Sequence, residues 1–408
     1  MSVAKNVQID NSLGTQTCEF LENSQAYRYT CPMTLPTAQI TVPPGFIDLG
    51  IGDPALELLP LDLLRQGADA CFAQADPAVL QYGAEQGNGP FRLALAQFLG
   101  RGYGFPVAPE SLFVTSGISG GLDLLCTLLT RPGDSIFVEE PTFFLALRIF
   151  ADHGLRLIPI PTDADGLVLE ALEAKLDEVR PKFLYLIPTF QNPSGQTLSQ
   201  ARRERLVSLC QERDLLLVAD EVYHFLNYTV QPPQSFAANT ATRNIIALGS
   251  FSKILAPGLR LGWIQAEAGR IKSLAACGLL DSGGGMNPFT SAVVRGILED
   301  GSLEEHIQRL RSVYHLRLKA VDSALRRHLP GATYIKPQGG YFFWVRLPGD
   351  MDAEELLVKA AQAKVGFRPG VRFSCQGGSK AFIRLSFSFY ATEEIEEGIQ
   401  RLAQACGY

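Results

Sequence analysis

The sequence predicts an α/β fold built on a mostly parallel, seven-stranded sheet flanked by helices, with a smaller α+β C-terminal domain. Three observations carry that reading. Short β-rich runs alternate with helical stretches between about residues 111 and 265, a long charged amphipathic stretch follows, and two more strand-like runs flank a helical segment near the end. The seven runs, in order, are SLFVT, SIFVEE, RLIPI, FLYLIP, LLLVAD, IIALGS and RLGWI. Apolar runs spaced by helix-length segments are what strands buried on both faces and joined by crossover helices require. The stretch LEEHIQRLRSVYHLRLKAVDSALRRHL reads as one long helix. GGYFFWVRL and KAFIRLSFS read as strands, with EELLVKAAQA a helix between them. Residues 1–45 lack clear periodicity and end in the turn-rich TVPPG, so they read as an arm. The expected division is an arm over 1–45, a large domain over 46–285 and a small domain over 286–408 that takes in part of the N-terminal segment.

Bulk properties narrow the class of partner. At 408 residues, 46% hydrophobic and 19% charged, the chain can bury a large core. A net charge of -6 with scattered Lys and Arg gives neither a basic stripe for nucleic acid nor a polybasic patch for a membrane surface. A small molecule is the expected partner. The eight cysteines are widely spaced without a CxxC pair, which suits reduced thiols in a cytosolic protein. The start, MSVAKNVQIDNSLG, has no apolar signal region, and no apolar run reaches the roughly 20 residues of a membrane span. A cytoplasmic, non-secreted protein is expected. The five histidines show no i, i+4 pairing, and no metal is expected.

Ligand sites in open α/β sheets sit at the carboxyl ends of strands, so the residues that follow each run matter most. FLYLIP leads to Thr189, Gln191 and Asn192; LLLVA leads to Asp220 and Tyr223; IIALG leads to Ser250, Ser252 and Lys253. SLFVT runs into SGISGG, a glycine-bearing turn opening a helix, whose free amides suit a phosphate although it matches no nucleotide fingerprint. Each signal taken alone has an ordinary structural explanation: a surface lysine, a helix cap, an Asn-Pro turn, an edge-strand arginine. Their joint order changes the reading.

In that order the chain resembles the fold-type I pyridoxal-phosphate enzymes, and among them the class I/II aminotransferases, from about residue 46 to the C-terminus. The strings that carry the resemblance are QYGAEQGNGPFRLALAQFL, EEPTFF, PTFQNPSGQTLS, LLLVADEVY, LGSFSKILAPGLRLGW, PQGGYFFW and IRLSFS. NPSG and SFSKILAPGLRLGW are similar to the branch holding α-aminoadipate and kynurenine aminotransferases. The resemblance implies that Lys253 carries pyridoxal 5'-phosphate as a Schiff base and moves the α-proton. It implies that Asp220 faces the pyridine nitrogen, that Asn192 and Tyr223 bond the ring oxygen, and that Phe143 stacks on the ring. Ser250, Ser252, Arg260 and the amides of Ile118 and Ser119 would hold the phosphate. Arg384 would clamp the substrate carboxylate, with Asn192, Gly50 and Gly52 beside it. Tyr82 matches a tyrosine that the family contributes across a homodimer interface.

Two departures stand out. The branch usually has Ser-Gln-Gln in the phosphate turn where this chain has Ile118, Ser119 and Gly120, and the stacking residue is Phe143 rather than tyrosine. The expected reaction is transfer of the α-amino group of an L-amino acid to a 2-oxo acid. A lyase, cyclase or oxidase on the same scaffold is the alternative, because all would share Lys253, Asp220 and Arg384. A regulator's effector-binding domain is a lesser one. It calls for a DNA-binding module, and residues 1–45 are expected to be too short and turn-rich for that. Candidate side-chain-pocket residues are Tyr27, Tyr29, His224, Phe225 and Asn227.

Overall fold

The computed structural model describes residues 16–22, 25–31 and 39–408, with side chains from residue 39 onward. The chain divides into two compact units, residues 1–46 and 47–408. In the first, β1 (Gln16–Glu22) and β2 (Gln25–Cys31) pair antiparallel from Gln16 opposite Cys31 to Glu22 opposite Gln25. The aperiodic reading of the arm did not anticipate this pair. Aromatic and β-branched residues in QAYRYTC supply the strand propensity.

The second unit begins with β3 (Ile47–Asp48), α1 (Leu61–Ala73) and α2 (Gly89–Tyr103). The alternating region follows: β4 (Leu112–Thr115), α3 (Gly117–Leu129), β5 (Ser135–Glu140), α4 (Phe144–Asp152), β6 (Arg156–Asp163), β7 (Gly166–Leu167), α5 (Leu169–Glu178), β8 (Leu184–Leu186), α6 (Gln200–Glu212), β9 (Leu217–Asp220), β10 (Ile245–Ser250) and β11 (Gly262–Gln265). All seven sequence-predicted runs are strands of one sheet, ordered β4-β11-β10-β9-β8-β5-β6-β7. The eighth strand, β7, is a two-residue edge hairpin on β6, turned at Asp-Gly where Gly166 has φ +95. Strands β10, β9, β8, β5 and β6 pair parallel, while β11 runs antiparallel to both β10 and β4. The carboxyl ends of β4, β5, β8, β9 and β10 therefore share one edge, which is where the polar residues gather.

The rest comprises α7 (Ala268–Ala275), α8 (Gly278–Gly283), α9 (Pro288–Glu299), α10 (Ser302–His328), β12 (Thr333–Tyr334), β13 (Phe342–Arg346), α11 (Ala353–Gln362), β14 (Val365–Gly366), β15 (Arg368–Pro369), β16 (Phe382–Ser386) and α12 (Thr392–Cys406). A small antiparallel sheet has the order β12-β13-β16-β15, and β14 pairs parallel with β3, which draws residues 47–48 toward the C-terminal elements. Helix α10 is the long helix read from the sequence, and it packs against α12. Helix α9 packs instead on α1 and α2. There Gly67 is required, because a Cβ would lie 2.6 Å from the Val293 carbonyl oxygen. Among the described residues no helix is long and apolar enough to cross a membrane.

Candidate active site

One cavity at the strand edge is lined by Ile118, Ser119, Phe143, Asn192, Asp220, Tyr223, Ser250, Ser252, Lys253 and Arg260, together with Leu122, Ile187 and Val222. The strand ends bring these residues together from across more than a hundred positions of sequence. At one end of the cavity, α3 begins directly after β4 and presents the unpaired amides of its first turn. Ser250 Oγ donates to Ser252 Oγ at 2.9 Å, and the Ser252 amide donates to Ser250 Oγ at 3.0 Å, so the two hydroxyls are fixed as a pair. Arg260 adopts a left-handed conformation, φ +47, and its Nη2 donates to the Ser116 carbonyl at 3.0 Å. Gly117, itself at φ +75, leaves room for that guanidinium, since a Cβ there would stand 2.8 Å from Nη2. Two hydroxyls, a guanidinium and a helix N-terminus make this an anion-binding end.

At the other end of the cavity, Asp220 closes β9 and is buried. Its Oδ2 accepts from the Tyr185 hydroxyl at 2.9 Å and its Oδ1 from the Val222 amide at 3.2 Å. Burial pushes its carboxyl up to about 6 against the pull of those two donors. No cation pairs with it among the described residues. Tyr223, also buried, is held above its ordinary value, mainly by burial. The loop carrying Asn192 is anchored by Arg203, which is buried and donates to the carbonyls of Pro188 and Leu198 and to Thr189 Oγ1. Phe143 precedes α4 and stands edge-on to Phe144.

Lys253 sits in the turn after β10. Its Nζ donates to the Gly52 carbonyl at 2.8 Å and lies 5.4 Å from the centre of the Tyr341 ring. Burial brings its amine down to about 8, with Asp53 opposing the shift and Arg384 and Arg260 adding to it. Arg384, buried on β16, donates from Nη1 to Asn192 Oδ1 at 3.0 Å and from Nη2 to the Gly50 carbonyl at 2.7 Å. It lies over the Phe342 ring at 4.1 Å, and its Nε has no partner among the described residues. Burial lowers it to about 9, and no carboxylate forms an ion pair with it among the described residues. The Gly50–Gly52 segment thus ties the lysine to the arginine through two carbonyls. A Cβ on Gly50 would stand 2.9 Å from Arg368 Cγ and from Asp48 Oδ1.

The structure leaves some predicted residues elsewhere. Tyr82 is outside the cavity and 82% exposed. His224, Phe225 and Asn227 are buried and do not line this cavity, and His224 and Phe225 pack against Tyr103; Arg384, Gly50 and Gly52 also lie outside its lining. The turn after Tyr223 carries the chain into the core there. The side chains of Tyr27 and Tyr29 lie outside the described residues. Sequence reasoning missed Tyr185, Glu139, Tyr341 and the Asp48–Arg368 pair at 3.2 Å. Glu139 is buried below the Asn192 loop, accepting from the Ile187 amide and Gln191 Nε2, and burial raises it to about 8.

These residues fit pyridoxal phosphate on physical grounds. Among the described residues no cation pairs with the buried Asp220, and a protonated pyridine nitrogen would supply one; the serine–arginine end suits an anion, and Lys253 lines the same cavity. The description "Aminotransferase class I and II" fits residues 44–402. The chain is 36% identical over 365 residues to an aromatic-amino-acid aminotransferase of Thermococcus litoralis, covering 88% of this chain and 87% of that one. It is similar to the solved kynurenine aminotransferase of Pyrococcus horikoshii, at 34% identity and TM-score 0.84 over 89% of this chain and 91% of that one. It is also similar to the alpha-aminoadipate aminotransferase of Thermus thermophilus solved with N-(5'-phosphopyridoxyl)-L-leucine, at 32% identity and TM-score 0.81, over 89% and 92%. The chain belongs to the class I and II aminotransferases, as a pyridoxal-phosphate-dependent enzyme that transfers amino groups between amino acids and 2-oxo acids.

Proposed function

We propose that Lys253 carries the cofactor and that Arg384 receives the α-carboxylate of an L-amino acid whose amino group is passed on to a 2-oxo acid. The observation that carries this is Arg384: a buried guanidinium that, among the described residues, has a free Nε and no carboxylate partner, and that bonds Asn192 and the Gly50 carbonyl. A planar carboxylate matches its fork and removes the cost of an unpaired buried charge.

Bound pyridoxal phosphate supplies an electron-withdrawing ring that stabilises negative charge at the substrate α-carbon. Asp220 would hold a proton on the ring nitrogen, Asn192 and Tyr223 would hold the ring oxygen, and Phe143 would pack against the ring. Ser250, Ser252, Arg260 and the amides of Ile118 and Ser119 would hold the phosphate. Lys253 would move the proton at the substrate α-carbon; a value near 8 keeps part of the free amine neutral and able to accept a proton near neutral pH.

The working form is a cytoplasmic homodimer in this reading, with Tyr82 reaching the partner's phosphate end. The dimer's support is a set of exposed apolar side chains, Leu61, Phe72, Leu80 and Phe289, on α1, α9 and the turn at residues 77–80, where α9 packs on both of the others. Such a set is a candidate contact face. The large and small domains divide near residue 285, with α9 packed on the large one. Aromatic amino acids, kynurenine and α-aminoadipate are the first donors to try.

The test uses a 15N-labelled L-amino acid with an unlabelled 2-oxo acid of different carbon skeleton. Label recovered in the newly formed amino acid is the expected result. Catalytic release of labelled ammonia instead would reject transamination in favour of elimination or oxidation.

A further inference from the structure

The contact beneath Asp220 assigns a role to a residue that neither motif nor loop singles out. Tyr185 lies in the middle of β8, wholly buried, opposite Val218 of β9 and Val138 of β5. Side chains alternate along a strand, so Val218 and Asp220 share a face, and a tyrosine opposite Val218 reaches diagonally to Asp220. The Tyr185 hydroxyl does so, donating to Oδ2 at 2.9 Å. Tyr185 is the one side chain among the described residues that hydrogen-bonds this carboxylate; the second donor is the Val222 amide on Oδ1. A hydroxyl buried in a sheet core is costly without a partner, and Asp220 is that partner.

We propose that Tyr185 is a positioning residue for Asp220. With each carboxylate oxygen held by one fixed donor, the plane of the group is set and its remaining lone pairs face the cavity. The hydroxyl also acts on charge. Glu139 from β5, and Glu221 and Tyr223 from the segment after β9, surround the site and oppose a further negative charge; burial is the largest opposing influence, and the Tyr185 bond is the largest favouring it. The inference rests on the assignment of Asp220 to the ring nitrogen.

Tyr185→Phe keeps the ring and its packing on Phe150, whose centroid is 5.3 Å away, and removes only the hydroxyl. Loss of a hydrogen bond to a charged group predicts kcat lower by about tenfold with KM for the amino donor changed less than about twofold. Cofactor release on dialysis, followed by absorbance, speeds up by a similar factor, while the melting temperature of the cofactor-free protein, which reports the fold separately, stays within about 3 °C. In an Asp220→Asn background the same change adds nothing further. Unchanged cofactor release and kcat in Tyr185→Phe would overturn the proposal, as would a full tenfold further loss in the Asp220→Asn background. Wild-type turnover in Asp220→Asn alone would reject the ring-nitrogen assignment itself, an outcome separable from the others because it needs no change at Tyr185.

Discussion

Asp220 and Arg384 are two buried charges of opposite sign, and neither forms an ion pair among the described residues. The first closes a central parallel strand of the large sheet; burial disfavours its ionised form, with Glu221 adding to the effect, and its carboxyl rises to about 6. The second lies on the small sheet, in register with Arg368 on the neighbouring strand; burial lowers it to about 9, with Arg368 adding to the effect. Each charge would be stabilised by a partner of the opposite kind, and placing them together would satisfy both. Instead Asn192 stands against Arg384, and Lys253 lies within the influence of both Arg384 and Arg260. The difference between the two regions teaches that this site is incomplete as a protein alone. It suits two ligands together: a cofactor that brings a cation to Asp220 and a substrate that brings a carboxylate to Arg384.

The sharpest way to break this picture is to remove the Lys253 amine from the cavity. Lys253→Ala is expected to lower turnover by on the order of a thousandfold or more and to abolish the near-visible absorbance of the lysine-bound cofactor. Full turnover in that variant would sink the mechanism.

Next in size is the arginine end. Arg384→Ala should reduce kcat/KM for the amino donor by about 2 to 5 kcal/mol, as expected when one partner of a desolvated charge pair is lost. An unchanged kcat/KM would remove Arg384 from the site.

The carboxylate end predicts a trade between stability and function. Asp220 has a raised value in the folded state, so between roughly 4 and 6 the folded protein holds a proton that the unfolded chain has released. Stability of the cofactor-free protein therefore falls as pH rises through that window, and Glu139 extends the fall toward 8. Cofactor-free Asp220→Asn is then more stable than wild type at neutral pH, by up to about 3 kcal/mol, and indistinguishable near pH 4. Calorimetry across pH on both proteins checks it; equal stability at neutral pH would mean the carboxylate is not strained in the absence of cofactor.

How much of this could be read beforehand follows from where the information lies along the chain. All seven runs became strands because an uninterrupted apolar run in an α/β pattern has few other places to go. Lys253, Asp220 and Asn192 were legible because each follows such a run within a few residues. Tyr185 was not, since a tyrosine inside FLYLIP reads as a good strand former and its partner is 35 positions away. The Asp48–Arg368 pair spans 320 positions and leaves no local trace. His224 and Phe225 follow Tyr223 directly in sequence, and the turn there packs them against Tyr103, a contact no local pattern marks. The hairpin at β7 was marked by Asp-Gly in TDADGL, a turn signal too short to register beside the longer runs.

The smallest expected effect concerns the phosphate end, where Ile118 replaces a hydroxyl-bearing residue of the related branch. Ile118→Ser should tighten cofactor retention by about 1 kcal/mol, roughly fivefold in dissociation constant, if the added hydroxyl finds the phosphate. No gain in an equilibrium titration with pyridoxal phosphate would mean that the serine pair and Arg260 already satisfy the anion.

The most direct measurement is the absorbance spectrum of the cofactor-loaded protein before and after adding single L-amino acids without a 2-oxo acid. The account predicts that the near-visible band of the lysine-bound cofactor converts to the shorter-wavelength band of its aminated form, with one 2-oxo acid released per site. A band that persists unchanged with every donor, or one that returns while ammonia accumulates catalytically, would contradict it.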